Sequence, residues 1–142
     1  MYRSILVPVD LNDEASWAKA LPVAVRLTRA FAAKLTVMTV VPDFGMAIVG
    51  SFFPADYADK AAAEAKRRLA ALVATRVPAD LGAETLVAQG TIYDQIIAAG
   101  KRLDADLVVI ASHRPGLEDY LLGPNAARVV RHYRRSVLVV RE

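Results

Sequence analysis

Ile5-Leu6-Val7-Pro8-Val9, closed by Asp10, is a run of five apolar residues that ends on a carboxylate. An apolar run without polar alternation suits a strand buried on both faces, as in a parallel sheet covered by helices. Three further runs have the same character: Leu35–Val41, Leu107–Ala111 and Val137–Val140, rich in Val and Ile and bounded by charge, Pro or Gly. Glu84–Ala88, just before Gly90, is a weaker fifth candidate.

Helical patterns fill the gaps. Over residues 14–32, Trp17, Leu21, Ala24, Val25, Thr28 and Phe31 share one face, with Asn12 or Asp13 as N-cap. Pro22 inside that pattern must kink the helix or shorten its first turn. The Ala-rich segment 57–76 gathers Ala58, Ala61, Ala62, Ala65, Leu69 and Leu72 on a second face. Thr91-Ile-Tyr-Asp94 has capping-box spacing and opens a helix to about Lys101. A last helix, about 124–134, starts with Pro124, whose fixed φ and missing N–H suit a first helical position. Strands alternate with helices throughout, so right-handed crossovers predict an α/β fold: a five-stranded doubly wound parallel sheet in the order 3-2-1-4-5.

Composition narrows the chemistry. At 142 residues the chain has the length of a single domain, 1–142, on a prior of about 150 residues per domain. The absence of Cys excludes disulfides, Fe–S centres, thiolate zinc and a cysteine nucleophile. Eighteen basic against 15 acidic residues leave a net charge of +3, too small to announce a nucleic-acid binder. The opening MYRSILVPVD reaches Asp10 too soon for a signal-peptide core, and the apolar stretch Asp43–Pro54 is far shorter than the roughly 20 residues of a membrane span. The expectation is a soluble cytoplasmic protein without a membrane partner.

In a doubly wound sheet, ligands bind outside the carboxyl ends of the strands where the strand order reverses, here between strands one and four. Those ends carry Pro8-Val9-Asp10 and Ala111-Ser112-His113-Arg114-Pro115-Gly116. Asp10 either accepts from ribose hydroxyls or an adenine amine, or merely caps the loop that follows it. Gly123 before the last helix lets backbone approach an anion, and the helix dipole favours phosphate there. Pro124, however, removes one of the N–H donors such a site would use.

These residues resemble the universal stress protein family along essentially the whole chain. The likeness lies in the opening ILVPVD, the VVP after strand two, the Gly90 turn and the closing NAARVVRHYRRSVLVVR. IASHRPGLEDYLLGPNAARVVRH is especially like the family's filament-associated F/G-type subgroup. The resemblance implies a Rossmann-like fold of the adenine-nucleotide α-hydrolase-like kind and a site for ATP or AMP, with Mg accompanying ATP. Pro8, Val9, Asp10 and Val40 would enclose adenine and ribose. Ile110, Ala111, His113 and Arg114 would line the path to the phosphates, and Gly123, Pro124, Asn125 and Ala126 would meet them.

The family's nucleotide motif, G-x2-G-x9-G-[S/T], is altered here. Ala111 and Arg114 replace its first two glycines, the gap to Gly123 is one residue shorter, and Pro124 stands where Ser is expected. The subgroup shares the first three changes; Pro124 is local to this chain and weakens the phosphate end more than the adenosine end. Asn125 substitutes in part through its side-chain amide. Arg114 suits phosphate oxygens, or else pairs on the surface with Glu118 or Asp119.

Other chemistries find less support. Ser112 and His113 are neighbours at a strand end, where adjacent side chains point apart, and no orienting carboxylate accompanies them. His132 lies too far along the chain to make metal-ligand spacing with His113. No P-loop pattern and no G-x-G-x-x-G after the first strand occurs. Tyr120–Arg141 contains five Arg and no acid, with Arg128, Arg131 and Arg135 expected on one stripe, which reads as a solvated helix face rather than a nucleic-acid surface. The final strand is expected at the sheet edge, and the resemblance implies a homodimer through Ser136–Arg141. The Phe44–Phe53 loop covers either the nucleotide, a second contact or simply the sheet top.

The reading is therefore a dimeric, adenine-nucleotide-binding stress sensor or protective factor with no assigned catalytic residue. Slow ATP hydrolysis is the most that an enzymatic reading offers. The alternative is a dimeric interaction module that has lost its phosphate site.

Overall fold

The computed structural model describes residues 1–41, 57–112 and 123–141. Its sheet consists of β1 (Ser4–Pro8), β2 (Lys34–Val41), β3 (Glu84–Gln89), β4 (Leu107–Ser112) and β5 (Ser136–Arg141), in the order β3-β2-β1-β4-β5. Every pairing is parallel. The helices are α1 (Ala20–Phe31), α2 (Tyr57–Arg76), α3 (Ile92–Arg102) and α4 (Pro124–His132). The five strands and their order are those read from the apolar runs, each within two residues of its expected bounds.

The pleat sorts the core into two layers. Ile5, Val7 and Val9 of β1 and its exit join Leu35, Val37, Leu107 and Val109 under α1 and α2. Leu6 joins Met38, Val108 and Ile110 under α3 and α4. Both faces of the central strands are thus dry, which is why their sequences lack polar alternation.

The first α-helix starts at Ala20, six residues later than the expected residue 14, with Pro22 in its first turn. A 3-10 turn at Glu14–Ser16, capped by the Asp13 carboxylate on Ala15 N–H, precedes an α-helix that begins at Ala20. Pro22 is then the third helical residue, where its missing N–H would have no intrahelical acceptor. Leu21, Ala24 and Thr28 are buried, and Phe31 meets Tyr2 edge-on at 5.6 Å between ring centres.

Three local expectations need correction. Thr91 occupies the N-cap of α3 with extended backbone, but its side chain makes no capping bond, so the capping box is not formed. Helix α4 stops at His132, two residues early, because Tyr133 turns away (ψ 132°) and its hydroxyl donates to the carbonyl of Ala105. The Arg stripe consequently breaks. Arg135 lies beyond the helix and binds Asp104 at 3.0 Å, whereas Arg128 stacks over the Tyr93 ring at 4.7 Å. The Phe44–Phe53 loop lies outside the described residues. No helix among the described residues is long and apolar enough to cross a membrane.

Candidate functional site

Between the carboxyl ends of β1 and β4 a cavity of about 300 Å³ opens, at the small end of ligand sites. The sheet itself makes the opening. β1 pairs with β2 from Ser4 to Pro8, but with β4 only at Ile5↔Leu107 and Leu6↔Val108. Val9 N–H donates to Met38 O on the β2 side at 2.8 Å. Successive backbone amides alternate sides along a strand, so the position of Pro8 faces β4, and proline has no N–H to offer there. Pairing lapses, and Pro8 and Val9 on one side meet Ile110 and Ala111 on the other.

The loop after β1 folds tightly on itself. Asp10 Oδ1 accepts from Asn12 N–H at 2.9 Å, and Asp10 N–H donates to Ser16 Oγ at 2.8 Å. The Ser16 hydroxyl lies 3.0 Å from Asp10 O and 2.7 Å from Asp13 O, so its single hydrogen is served by either carbonyl. Thr39 Oγ1 donates to Val9 O at 2.8 Å and pins the strand exit from the β2 side. The loop-capping reading of Asp10 therefore holds for one carboxylate oxygen. The other, Oδ2, accepts no hydrogen bond among the described residues, and Asp10 remains exposed at the cavity.

Helix α4 presents its N-terminus to the same space. Gly123 is its N-cap, Pro124 its first residue, and no side chain among the described residues caps it. Two N–H groups remain in the first turn, on Asn125 and Ala126, without a partner among the described residues. The opposite wall is apolar. Val40 of β2 contributes to it, with Ile92 and Ile96 of α3. The β3–α3 turn that places them needs Gly90 at φ 136°, where a Cβ would stand 2.9 Å from Gln95 Nε2. Ile92 is 42% exposed, an apolar residue at the mouth, while Ile96 is buried.

The structure thus brings together ten residues expected at the site: Pro8, Val9, Asp10, Val40, Ile110, Ala111, Gly123, Pro124, Asn125 and Ala126. His113 and Arg114 lie outside the described residues. Asn12, Ser16, Ile92 and Ile96 also line the cavity and were not picked out from the sequence. The i, i+4 spacing of Ile92 and Ile96 right after a strand end was the available signal for the latter pair. The arrangement offers apolar walls, one carboxylate acceptor, and main-chain donors at a helix N-terminus. That combination can hold an aromatic base, a hydroxylated sugar and an anion.

Comparison with known proteins agrees with this architecture. The universal stress protein family matches residues 1–141. Universal stress protein G of Salmonella typhimurium is 34% identical over 145 residues, spanning 99% of this chain and 100% of that protein. Among solved structures, UspA from Lactobacillus plantarum superposes with a TM-score of 0.73 at 26% identity, covering 99% of this chain and 98% of that one. A universal stress protein in complex with cAMP gives a TM-score of 0.61 at 25% identity, with 99% and 97% covered. The sheet order, the whole-chain match and the full-length relatives together establish that the chain belongs to the universal stress protein family.

Proposed function

We propose that the cavity between β1 and β4 binds an adenine nucleotide, AMP or ATP, and that the protein is a stress-response sensor or protective factor. The observation that carries this reading is the convergence on one apolar-walled cavity of an Asp10 carboxylate oxygen and the α4 N-terminus, neither engaged by a side chain or amide among the described residues. Val40, Ile92 and Ile96 would face the base, and Asp10 would accept from the sugar. The N–H groups of Asn125 and Ala126 would meet phosphate, favoured by the helix dipole. His113 and Arg114 would extend the path between sugar and phosphate. Magnesium would accompany ATP and neutralise its charge. The cAMP complex of a relative supports nucleotide as the ligand class.

The protein acts, in this reading, as a single cytoplasmic domain that dimerises through β5. That strand lies at the sheet edge, and its Leu138 is exposed. The role in this reading is binding, with ATP hydrolysis slow if it occurs. Pro124 favours a second reading, a dimeric interaction module without nucleotide, because it removes a donor from the phosphate end. Mass spectrometry of freshly purified, denatured protein separates the two. Released AMP, ADP or ATP supports the first, and its absence together with absent binding at millimolar nucleotide supports the second.

A further inference from the structure

We infer that Arg68 of α2 is a positioning residue for the cavity, one that orients the Asn12 side-chain amide as a donor beside the Asp10 acceptor. The inference rests on the nucleotide reading and names what the site selects: the paired hydroxyls of a ribose.

Arg68 reaches from α2 to the loop after β1. Its Nη1 donates to Asn12 Oδ1 at 3.1 Å and its Nη2 to Leu11 O at 2.9 Å. A guanidinium only donates, so the amide oxygen of Asn12 must face Arg68. The amide nitrogen is then left as a donor with no acceptor among the described residues, on a residue that lines the cavity. Asn12 is fixed twice, since its main-chain N–H is held by Asp10 Oδ1 at 2.9 Å. The same contact leaves Asp10 Oδ2 as the acceptor.

An acceptor and a donor two residues apart suit a pair of hydroxyls, each of which both donates and accepts. A deoxy sugar leaves these polar groups without their partners. Arg68 and Asn12 are both exposed, so the two bonds compete with water and contribute little to overall stability. Their contribution is orientation: the planar fork engages acceptors on two consecutive residues, a geometry lysine does not reproduce.

The test titrates the full chain by calorimetry with AMP and with 2′,3′-dideoxy-AMP, using wild type, Arg68→Met, Arg68→Lys, Asn12→Ala and the Arg68→Met/Asn12→Ala double variant. Arg68→Met should weaken AMP binding about five- to tenfold and leave the dideoxy nucleotide within about twofold, the size of coupling usual for contacting residues. Arg68→Lys should restore only part of the loss. Asn12→Ala should show the same selective loss, with little added in the double variant. An equal loss for both nucleotides, or no loss, overturns the role of Arg68. Wild type that binds both nucleotides equally overturns the ribose selection while leaving nucleotide binding intact. Wild type that binds neither removes the nucleotide reading and this inference together.

Discussion

Leu6 and Val108 form the last rung that joins β1 to β4. Two residues later Pro8 still pairs with Met38 of β2, so the sheet opens on one side of β1 only. Replacing Pro8 with Val would restore an amide facing β4 and a side chain suited to a strand. Pro8→Val should extend the pairing and narrow the cavity mouth. AMP affinity should fall about tenfold, equivalent to about 1.4 kcal/mol, while the melting temperature stays level or rises. Calorimetry and thermal melts check both. Unchanged affinity would show that the opening is not set by Pro8.

Pro124 is the first residue of α4, and the main-chain N–H groups of Asn125 and Ala126 are left in its first turn without a partner among the described residues. Pro124→Ser adds an N–H and a hydroxyl where an anion would sit. ATP should bind several-fold tighter, roughly 1 kcal/mol for one added hydrogen bond, with adenosine affected little. Equal gains for adenosine and ATP in parallel titrations would place Pro124 away from the phosphates.

The expected strand order and the place of the crevice follow from one physical circumstance, while the ten cavity residues were named through the family resemblance. In a doubly wound sheet the buried strands are continuous apolar runs, and the ligand site lies where those runs end. Ile5–Val9 and Leu107–Ala111 therefore announced both the strands and the crevice. What the sequence concealed depends on distant contacts. Ser16 enters the site because its hydroxyl closes a turn on Asp10, six residues back, and Asn12 because Arg68 reaches it from another helix. The early end of α4 follows from a carbonyl 28 residues away, at Ala105. Thr91 had the right spacing for a capping box, yet its side chain makes no cap, since spacing alone does not fix a rotamer.

Gly100 and Tyr133 lock α3 to the end of α4. A Cβ on Gly100 would stand 2.5 Å from the Tyr133 ring, and that ring is buried. Gly100→Ala should cost about 1–3 kcal/mol and lower the melting temperature by about 5 °C. Tyr133→Phe strands the Ala105 carbonyl and should cost about 1–3 kcal/mol. Burial raises the Tyr133 pKa above the usual phenol value, partly opposed by Arg135, so the hydroxyl stays a donor across the neutral range. Differential scanning calorimetry reads both variants, and wild-type melting in either would contradict the lock.

Acid sensitivity should trace to Asp106. Its carboxylate accepts from Ser4 N–H at 3.0 Å and from Arg3 N–H at 2.9 Å. Desolvation pushes its pKa upward, but these main-chain bonds outweigh it and hold the group below the usual carboxylate value. Because the folded pKa is the lower one, the stabilisation is fully present above the unfolded value of about 3.9 and is lost as pH falls through the folded value. Asp80, whose pKa the Arg29 hydrogen bond lowers, adds in the same direction. Asp106→Asn should be less stable than wild type at pH 6 and should lose stability less steeply below about pH 4. Parallel denaturation curves for the two proteins across that range would rule Asp106 out.

The central claim is that a nucleotide occupies the cavity between Pro8 and Ile110, and a calorimetric titration of nucleotide-free protein with AMP and ATP tests it most directly. The account predicts saturable heat for AMP, lost on Asp10→Ala, with ATP gaining little from its added phosphates because Pro124 leaves few donors for them. Absence of binding heat for both nucleotides at millimolar concentration would contradict it.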